Sequence, residues 1–350
     1  MSSDHTGSRS VVAMASGPDD LPDLSGTTAV VTGANSGIGF ETALALASYG
    51  ASVTLAWRNV PAAGRAADRI RSSHKGVHLP GIQVRSADPR DGSDGSAPGV
   101  DVRVAELDLS SLSSVRSFAD AWRGPLDLLV NNAGVMAPRT WKGTPDGFEL
   151  QFGTNHIGHF ALTGLLLSAL QLAGLPRVVT VSSIAHHNGR ADVLDRNPPQ
   201  GYRPERAYGN SKLANLLFGA ELHRRALAHG SALTSTMAHP GVSATGLMVD
   251  REGLGSNPVI RVVAPWVMPA LFQSAAAGAK PILSAATGAP PGSYSGPRWL
   301  RERRGPVGPP PLSILPPDTP LRPPRAPAGQ SGARGASHRS ARVSMDVPTV

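Results

Sequence analysis

The sequence predicts an α/β fold with a single doubly wound parallel sheet and helices on both of its faces. Two observations predict it. From about residue 28 to residue 296, short β-branched apolar segments alternate with longer helical patterns, an order that is typical of βαβ units. The apolar segments also lack the polar alternation of a strand that faces water, so each is expected to be buried on both sides.

The predicted strands and helices follow one another regularly along the chain. Six strands are predicted, at TAVVT (28–32), SVTLAW (52–57), VRVAEL (102–107), LDLLV (126–130), RVVTVS (177–182) and LTSTM (233–237). Helical patterns between them include GIGFETALALASY (37–49), SLSSVRSFADAW (111–122) and FELQFGTNHIGHFALTGLLLSAL (148–170). These elements form one predicted domain at 25–296, which follows a flexible N-terminal segment at 1–24.

Two segments interrupt this pattern. Residues 76–101 are rich in Gly, Pro, Asp and Ser, which is typical of a surface insertion. Residues 297–350 are rich in proline and show no apolar periodicity, so they cannot bury enough apolar surface to offset the entropy lost on ordering. We expect this tail to be disordered. Its Pro, Arg, Gly and Ala content is also what a GC-rich gene read out of frame encodes, and we hypothesise a frameshifted or divergent end after about Arg298.

The composition excludes several classes of protein. The chain has no cysteine, which rules out disulfides, thiolate metal sites and cysteine nucleophiles. No apolar run approaches the ~18 residues that cross a bilayer, and the first twenty residues lack the pattern of a signal peptide. Most of the net charge of +8 lies in the Arg-rich tail rather than in the predicted domain. We therefore expect a cytoplasmic protein without stable membrane insertion and without nucleic acid as a partner.

Tyr208 and Lys212 are the most informative pair of residues in the chain. Because they are four residues apart in a predicted helix, their side chains share one face. A free tyrosine has a pKa of about 10 and is a poor acid or base at neutral pH. A neighbouring ammonium favours the phenolate, so we expect Lys212 to lower the pKa of Tyr208 toward the range needed for proton transfer. A simple surface contact is the alternative interpretation of this spacing by itself.

The segment TAVVTGANSGIG (28–39) runs from a predicted strand through a Gly-rich turn into a helix. Gly33 permits the tight turn, Gly37 lets backbone N–H groups approach a pyrophosphate, and Gly39 allows the helix to pack closely on the strand. The positive end of the helix dipole then faces the phosphates. This order of strand, turn and helix predicts a dinucleotide-binding site.

Five motifs occur in an order that resembles the short-chain dehydrogenase/reductase family. They are TGANSGIG (32–39), NNAG (131–134), Ser183 in VVTVSSIAHH, Tyr208 with Lys212, and HPGVSAT (239–245). The segment DGFELQFGTNHIGHFALTGLLL and the 25 positions from Ser183 to Tyr208 are similar to the retinol dehydrogenase-like and protochlorophyllide reductase-like branch. The resemblance covers about 28–296 and implies a Rossmann-type sheet with the strand order 3-2-1-4-5-6-7.

The resemblance also implies an oxidoreductase that transfers hydride between a nicotinamide cofactor and a carbonyl or alcohol group of a small molecule. Tyr208 would be the general acid for the carbonyl oxygen, and the base in the reverse direction. Ser183 would hydrogen-bond the reacting oxygen, and Lys212 would hold the nicotinamide ribose. Asn155 would organise a water-linked proton path to the lysine. Family members commonly form homodimers or homotetramers through the two long helices that contain Asn155 and Tyr208.

The family motifs also imply a set of cofactor-binding residues. They are Gly33, Asn35, Ser36, Gly37, Ile38, Gly39, Arg58, Asp108, Leu109, Asn131, Ala133, Gly134, Tyr208, Lys212, Pro240, Gly241 and Thr245. Two of them have a structural alternative, since Asp108 could cap the helix that follows it and Asn131 could hold the sheet together. Trp57 and Arg58 end the second strand where NAD-binding proteins place an acid, so we expect NADP(H) to be preferred over NAD(H).

The substrate is less clearly encoded than the cofactor. The region from Gly246 to Ala279 is expected to form a loop and lid with apolar residues, which favours a lipophilic substrate, although a helix core or a subunit interface would use the same residues. We expect no metal site, because no carboxylate partner is evident for the clustered histidines His156, His159, His186 and His187. The alternative function is an NADP(H)-binding sensor with weak or no catalysis, in which an intact catalytic pair would be unexpected.

Overall fold

The computed structural model describes residues 21–73, 100–136, 138, 140–190, 199–241, 273–299 and 304–308. They form one eight-stranded sheet in the order β3-β2-β1-β4-β5-β6-β7-β8, in which the pairs from β3 to β7 are parallel and β8 is antiparallel to β7. The strands are β1 (Thr28–Thr32), β2 (Ser52–Trp57), β3 (Val102–Glu106), β4 (Leu128–Asn131), β5 (Arg177–Val181), β6 (Thr234–Ala238), β7 (Tyr294–Trp299) and β8 (Arg304–Gly308). The predicted α/β class and the order 3-2-1-4-5-6-7 are confirmed.

Helices cover both faces of the sheet. They are α1 (Gly37–Ser48), α2 (Val60–Ser73), α3 (Leu112–Ala121), α4 (Leu150–Phe152), α5 (Gly158–Leu165), α6 (Leu167–Leu172), α7 (Pro204–Ala228) and α8 (Ala275–Thr287), with a π-helical turn at Gly153–Ile157 and a 3₁₀ helix at Ile184–Asn188. Because side chains of a strand alternate between the two faces of the sheet, neighbouring residues of β1 enter different apolar cores. Val31 packs in the core that includes α1 and α8, and Val30 packs in the core that includes α3 and α5. None of the described helices is both long and apolar enough to span a membrane.

The strand order determines where a ligand can bind. After β3 the chain crosses to the other side of β1, so β4 lies beside β1 and the direction of winding reverses between them. In open α/β sheets, ligands bind outside the carboxyl ends of the strands at such a reversal. The segments that follow Thr32 in β1 and Asn131 in β4 therefore meet at the expected binding edge.

The C-terminal boundary of the sheet differs from the sequence prediction. The prediction ended the domain at Gly296, which is too early, because β7 continues to Trp299 and β8 pairs Gly308 with Gly296. The segment RGPVG was missed because glycine and proline are poor strand formers, although an edge strand tolerates them. The predicted insertion up to residue 99, most of the loop from Gly246 to Ala279 and the chain after 308 lie outside the described residues.

Candidate active site

The four residues with predicted catalytic roles lie together at the carboxyl ends of β4 and β5. Ser183 follows β5 by two positions, and its side chain hydrogen-bonds the phenol of Tyr208. The Nζ atom of Lys212 lies 5.7 Å from the centre of the Tyr208 ring and donates to the carbonyl of Val181, at 3.2 Å. A Cβ atom on Gly134 would lie 3.2 Å from Asn155 Oδ1 and 3.5 Å from Lys212 Nζ, so both groups border this glycine.

Burial dominates the acid–base properties of the Tyr208–Lys212 pair. It raises the pKa of Tyr208 to about 12, because an apolar environment disfavours the phenolate, while the hydrogen bond with Ser183 acts in the opposite direction. Burial also lowers the pKa of Lys212 to about 8. The expectation that the pKa of Tyr208 is lowered is therefore wrong for the protein by itself, because the loss of solvation outweighs the opposing hydrogen bond with Ser183.

The side chain of Asn155 connects two parts of the site by hydrogen bonds. Its Oδ1 accepts from the backbone N–H of Val135 at 2.7 Å, and its Nδ2 donates to the Val135 carbonyl at 2.9 Å and to Ser211 Oγ at 3.0 Å. Ser211 Oγ in turn donates to the backbone carbonyl of Tyr208 at 2.8 Å. Both amide hydrogens of Asn155 are thus used, and the turn after β4 is linked to helix α7, which carries Tyr208 and Lys212.

The Gly-rich turn has the shape that a dinucleotide phosphate requires. Gly33 has a φ angle of +69°, which favours glycine, and its N–H donates to Ala56 at the end of β2. Helix α1 begins at Gly37 with no acidic residue in its first turn, and the exposed Ser36 caps it without its side chain accepting a backbone N–H within the described chain. The first N–H groups of α1 therefore face outward at the positive end of the helix dipole, which suits a phosphate.

A groove beside this turn is lined by many of the predicted cofactor residues. Its lining includes Trp57, Arg58, Asp108, Leu109, Ala133 and Gly134, from the ends of β2, β3 and β4. The Arg58 guanidinium lies over the Trp57 indole, 5.8 Å from its centre. Asp108 Oδ1 accepts from the N–H and the hydroxyl of Ser110. The cap of helix α3 is Ser111, so the alternative interpretation of Asp108 as the helix cap is wrong.

Other predicted cofactor residues lie outside the lining of this groove. Asn35 and Ile38 are part-buried in the Gly-rich turn and α1. Asn131 is fully buried and its amide donates to Thr163 Oγ1 at 2.9 Å, which favours the structural interpretation of this residue. Pro240 and Gly241 directly follow β6, while Thr245 lies outside the described residues.

Sequence reasoning missed several buried and part-buried polar residues that hold the site together. Thr32 Oγ1 accepts from the backbone N–H groups of Asn132 and Ala133, at 2.9 and 3.0 Å. The side chain of Asn132 returns a hydrogen bond to the Thr32 carbonyl at 2.8 Å, and His159 contacts the Thr32 hydroxyl. Each residue adjoins or lies within a quoted motif, but linear spacing gave no sign that they touch.

The clustered histidines do not form a metal centre in the part of the chain that the structure describes, since no three His, Asp or Glu side chains converge there. His156 instead hydrogen-bonds Asn215 Oδ1 at 3.2 Å. His186 Nδ1 lies 2.6 Å from the Ser183 carbonyl, and its ring is 4.0 Å from that of His187. The four rings therefore serve as hydrogen-bonding and packing groups in this region.

Comparison with known proteins agrees with this geometry. The family model described as short chain dehydrogenase matches residues 27–94 and 92–252. The chain belongs to the short-chain dehydrogenase family. This is a family of NAD(P)-dependent oxidoreductases that act on alcohol and carbonyl groups, and the relatives of the chain place it in the retinol dehydrogenase-like branch.

Three similar proteins illustrate this membership. Retinol dehydrogenase 13 of Homo sapiens is 41% identical over 228 residues, which cover 64% of this chain and 61% of the relative's own length. Polyprenol dehydrogenase of Mus musculus is 39% identical over 293 residues, which cover 81% of this chain and 78% of the relative. A crystal structure of an uncharacterized protein from Mycobacterium paratuberculosis is 39% identical with a TM-score of 0.62, and covers 84% of this chain and 88% of that chain.

Gly39→Ala tests the close packing of the Gly-rich turn. An added Cβ would lie 2.5 Å from the carbonyl oxygen of Gly33 and would also collide with the Asn132 amide, so the turn must move. We expect a loss of about 1–3 kcal/mol in unfolding free energy, typical of overpacking, and weaker NADPH binding by fluorescence titration. Gly64→Ala in α2 is the matched control: its Cβ meets no described atom within 4 Å, and the helix should gain about 0.5–1 kcal/mol. Equal effects of the two changes would contradict this account.

Proposed function

We propose that the protein is an NADP(H)-dependent oxidoreductase that interconverts an alcohol and a carbonyl group on a lipophilic small molecule. The observation that carries this proposal is the contact of Ser183, Tyr208 and Lys212 beside a Gly-rich turn that suits a dinucleotide phosphate. The bound cofactor would supply or accept the hydride. The Gly-rich turn and the N-terminus of α1 would hold its phosphates, and Lys212 would donate to its ribose.

Tyr208 and Ser183 would have different roles in the proton transfer. With a pKa of about 12, Tyr208 is protonated at neutral pH, so it can donate a proton to a carbonyl oxygen that becomes negatively charged. Ser183, which donates its one hydroxyl hydrogen to the phenol in the protein by itself, would turn that hydrogen to the substrate oxygen and give it a second hydrogen bond. In the oxidative direction Tyr208 must act as a base, and the positive charge of the oxidised nicotinamide would favour the phenolate.

The class of substrate is inferred from the relatives. Two of them are named for retinol and polyprenol, which are lipophilic alcohols. The test is oxidation of NADPH, and separately of NADH, with a panel of retinal, long-chain isoprenoid aldehydes, short aldehydes and ketones. We expect turnover with NADPH that is fastest on the lipophilic aldehydes. Tight NADPH binding without turnover on any member would instead favour a cofactor sensor.

Arg58 is the proposed determinant of cofactor preference. It stands at the end of β2 on the rim of the groove, where its guanidinium can pair with a ribose 2′-phosphate through charge-assisted hydrogen bonds. We expect Arg58→Ala to raise the KM for NADPH roughly ten-fold or more and to leave the KM for NADH nearly unchanged. Arg103→Ala is the control, because Arg103 lies near the amino end of β3, at the opposite edge of the sheet. An equal response of both cofactors to Arg58→Ala would contradict the assignment.

A further inference from the structure

A buried histidine connects the cofactor-binding edge of the sheet to the catalytic asparagine. His159 lies on α5, four positions after Asn155, and only 1% of its surface is exposed. Asn155 itself belongs to the π-helical turn Gly153–Ile157, in which Gly158 N–H donates to the Gly153 carbonyl five residues earlier. Such turns interrupt the regular hydrogen bonding of an α-helix and are frequent at functional sites.

The contacts of His159 determine its tautomer. His159 Nδ1 lies 2.9 Å from the backbone carbonyl oxygen of Asn155, which can only accept, so Nδ1 carries the proton and donates. Burial lowers the pKa of His159 to about 3, so the ring is neutral and its Nε2 must be the acceptor. Nε2 lies 2.9 Å from Thr32 Oγ1, which therefore donates to it. The ring thus has one arrangement of donor and acceptor.

Thr32 connects His159 to the ends of β1 and β4, at the edge of the sheet where the cofactor is proposed to bind. It is the last residue of β1, and its hydroxyl oxygen also accepts from the backbone N–H groups of Asn132 and Ala133 in the turn after β4. The hydrogen-bonded series therefore runs from the turn after β4 through Thr32 and His159 to the carbonyl of Asn155. Both of its side chains, Thr32 and His159, are buried, so bulk water does not compete for these bonds.

We propose that His159 is a positioning residue that fixes the main-chain carbonyl of Asn155 in the catalytic site. The side chain of Asn155 is already committed to Val135 and Ser211. Within the proposed function, its main-chain carbonyl would therefore be the group that orients the proton path to Lys212. His159 determines the direction of that carbonyl and does not itself exchange a proton with the substrate. This role rests on the proposed function, because it concerns proton transfer through Tyr208 and Lys212.

Two substitutions test the hydrogen bonds of the two ring nitrogens of His159 separately. In His159→Asn, the side-chain amide places a donor near the position of Nδ1, so the bond to the Asn155 carbonyl can be kept while the contact with Thr32 is lost. In His159→Gln, the longer amide reaches the position of Nε2 and can keep the contact with Thr32, but it has no group at the position of Nδ1. Both variants lose one of two buried hydrogen bonds, so a purely structural role predicts a similar loss of stability from each.

The experiment measures kcat, the Kd of NADPH, the solvent isotope effect on kcat and the melting temperature of the full chain. We expect His159→Gln to lower kcat at least roughly ten-fold and to raise the solvent isotope effect, with the Kd of NADPH within two-fold, whereas His159→Asn keeps kcat within about three-fold. The same kcat in both variants, or a fall in kcat that only follows the loss of folded protein, would overturn the proposal. If His159→Gln does not fold, His159→Asn decides it, since a large fall in its kcat contradicts the proposal and retention supports it.

A second readout does not depend on activity. In ¹⁵N-histidine-labelled protein, we expect one imidazole proton bound to Nδ1 that exchanges slowly with solvent and persists from pH 5 to pH 9. A His159 ring protonated at Nε2 would contradict the arrangement directly. Full turnover of Tyr208→Phe would overturn the proposed function instead, and this measurement would still decide whether His159 holds the Asn155 carbonyl.

Discussion

Tyr208→Phe is expected to lower kcat by about 10²–10⁴-fold while the Kd of NADPH changes by less than about two-fold. The substitution removes only the hydroxyl that donates the proton, and it leaves the ring that packs near Lys212 Nζ. Ser183 loses its hydrogen bond with the phenol, but its hydroxyl oxygen still accepts from the Ala185 N–H at 3.2 Å and stays just after β5, where it can bond the substrate oxygen. Single-turnover measurements with NADPH and the best aldehyde of the panel, beside a fluorescence titration of NADPH, give the two quantities.

Tyr49→Phe is the matched control for this prediction. Tyr49 caps the C-terminus of helix α1, at the opposite end of that helix from Ser36 and the Gly-rich turn. The kcat of the Tyr49→Phe variant should equal that of the unmodified protein. A Tyr208→Phe enzyme that retains more than about one tenth of the normal kcat would show that another group donates the proton.

Lys212→Met is expected to abolish turnover and to stabilise the protein at neutral pH. Burial lowers the pKa of Lys212 from 10.5 in the unfolded chain to about 8, which corresponds to roughly 3 kcal/mol of unfavourable free energy for the charged form in the folded state. Methionine removes that charge and has a similar length. The Val181 carbonyl, which accepts from Lys212, also accepts from Asn215 at 3.1 Å and so keeps a partner.

The pH dependence of this gain has a definite sign. Below pH 8 lysine is charged in both states, so the full penalty acts on the folded protein and the gain from methionine is largest. Between pH 8 and pH 10.5 the folded state releases its proton before the unfolded state does, so the unmodified protein becomes relatively more stable and the gain decreases. Urea unfolding of both proteins from pH 7 to pH 10.5 measures the difference, and the exposed Lys142→Met should show little change. A gain that grows with pH would contradict the account.

The sequence predicted most of the fold because each β-α unit carries its own local signals. The predicted and observed bounds of β1 and β2 coincide at 28–32 and 52–57, where β-branched runs are followed directly by turn residues. The strand at the C-terminal edge was missed because Arg304–Gly308 has no apolar alternation and only one good strand former, Val307, and is held by pairing with β7. Such a strand depends on its neighbour, and local sequence does not encode it.

The sequence predicted that Tyr208 and Lys212 lie together, but it did not predict their pKa shifts. The spacing of Tyr208 and Lys212 indicated that they share a helix face, and the structure brings them together. The direction of the pKa shift of Tyr208 was wrong, because burial is a tertiary property that spacing does not report. The role of His159 was missed for the same reason, since its partners Thr32 and Asn155 are brought together only when α5 packs on β1.

The most direct test of the account is the transfer of deuterium from NADPH that carries deuterium at both C4 positions of the nicotinamide. The product alcohol of a lipophilic aldehyde is examined by mass spectrometry, with the unmodified protein beside Tyr208→Phe. We expect one deuterium on the carbinol carbon for each NADPH oxidised, and a rate of transfer that is at least about 100-fold lower in the variant. NADPH oxidation without deuterium in the product, or equal transfer by both proteins, would contradict the assignment of this site as a hydride-transfer centre with Tyr208 as its proton donor.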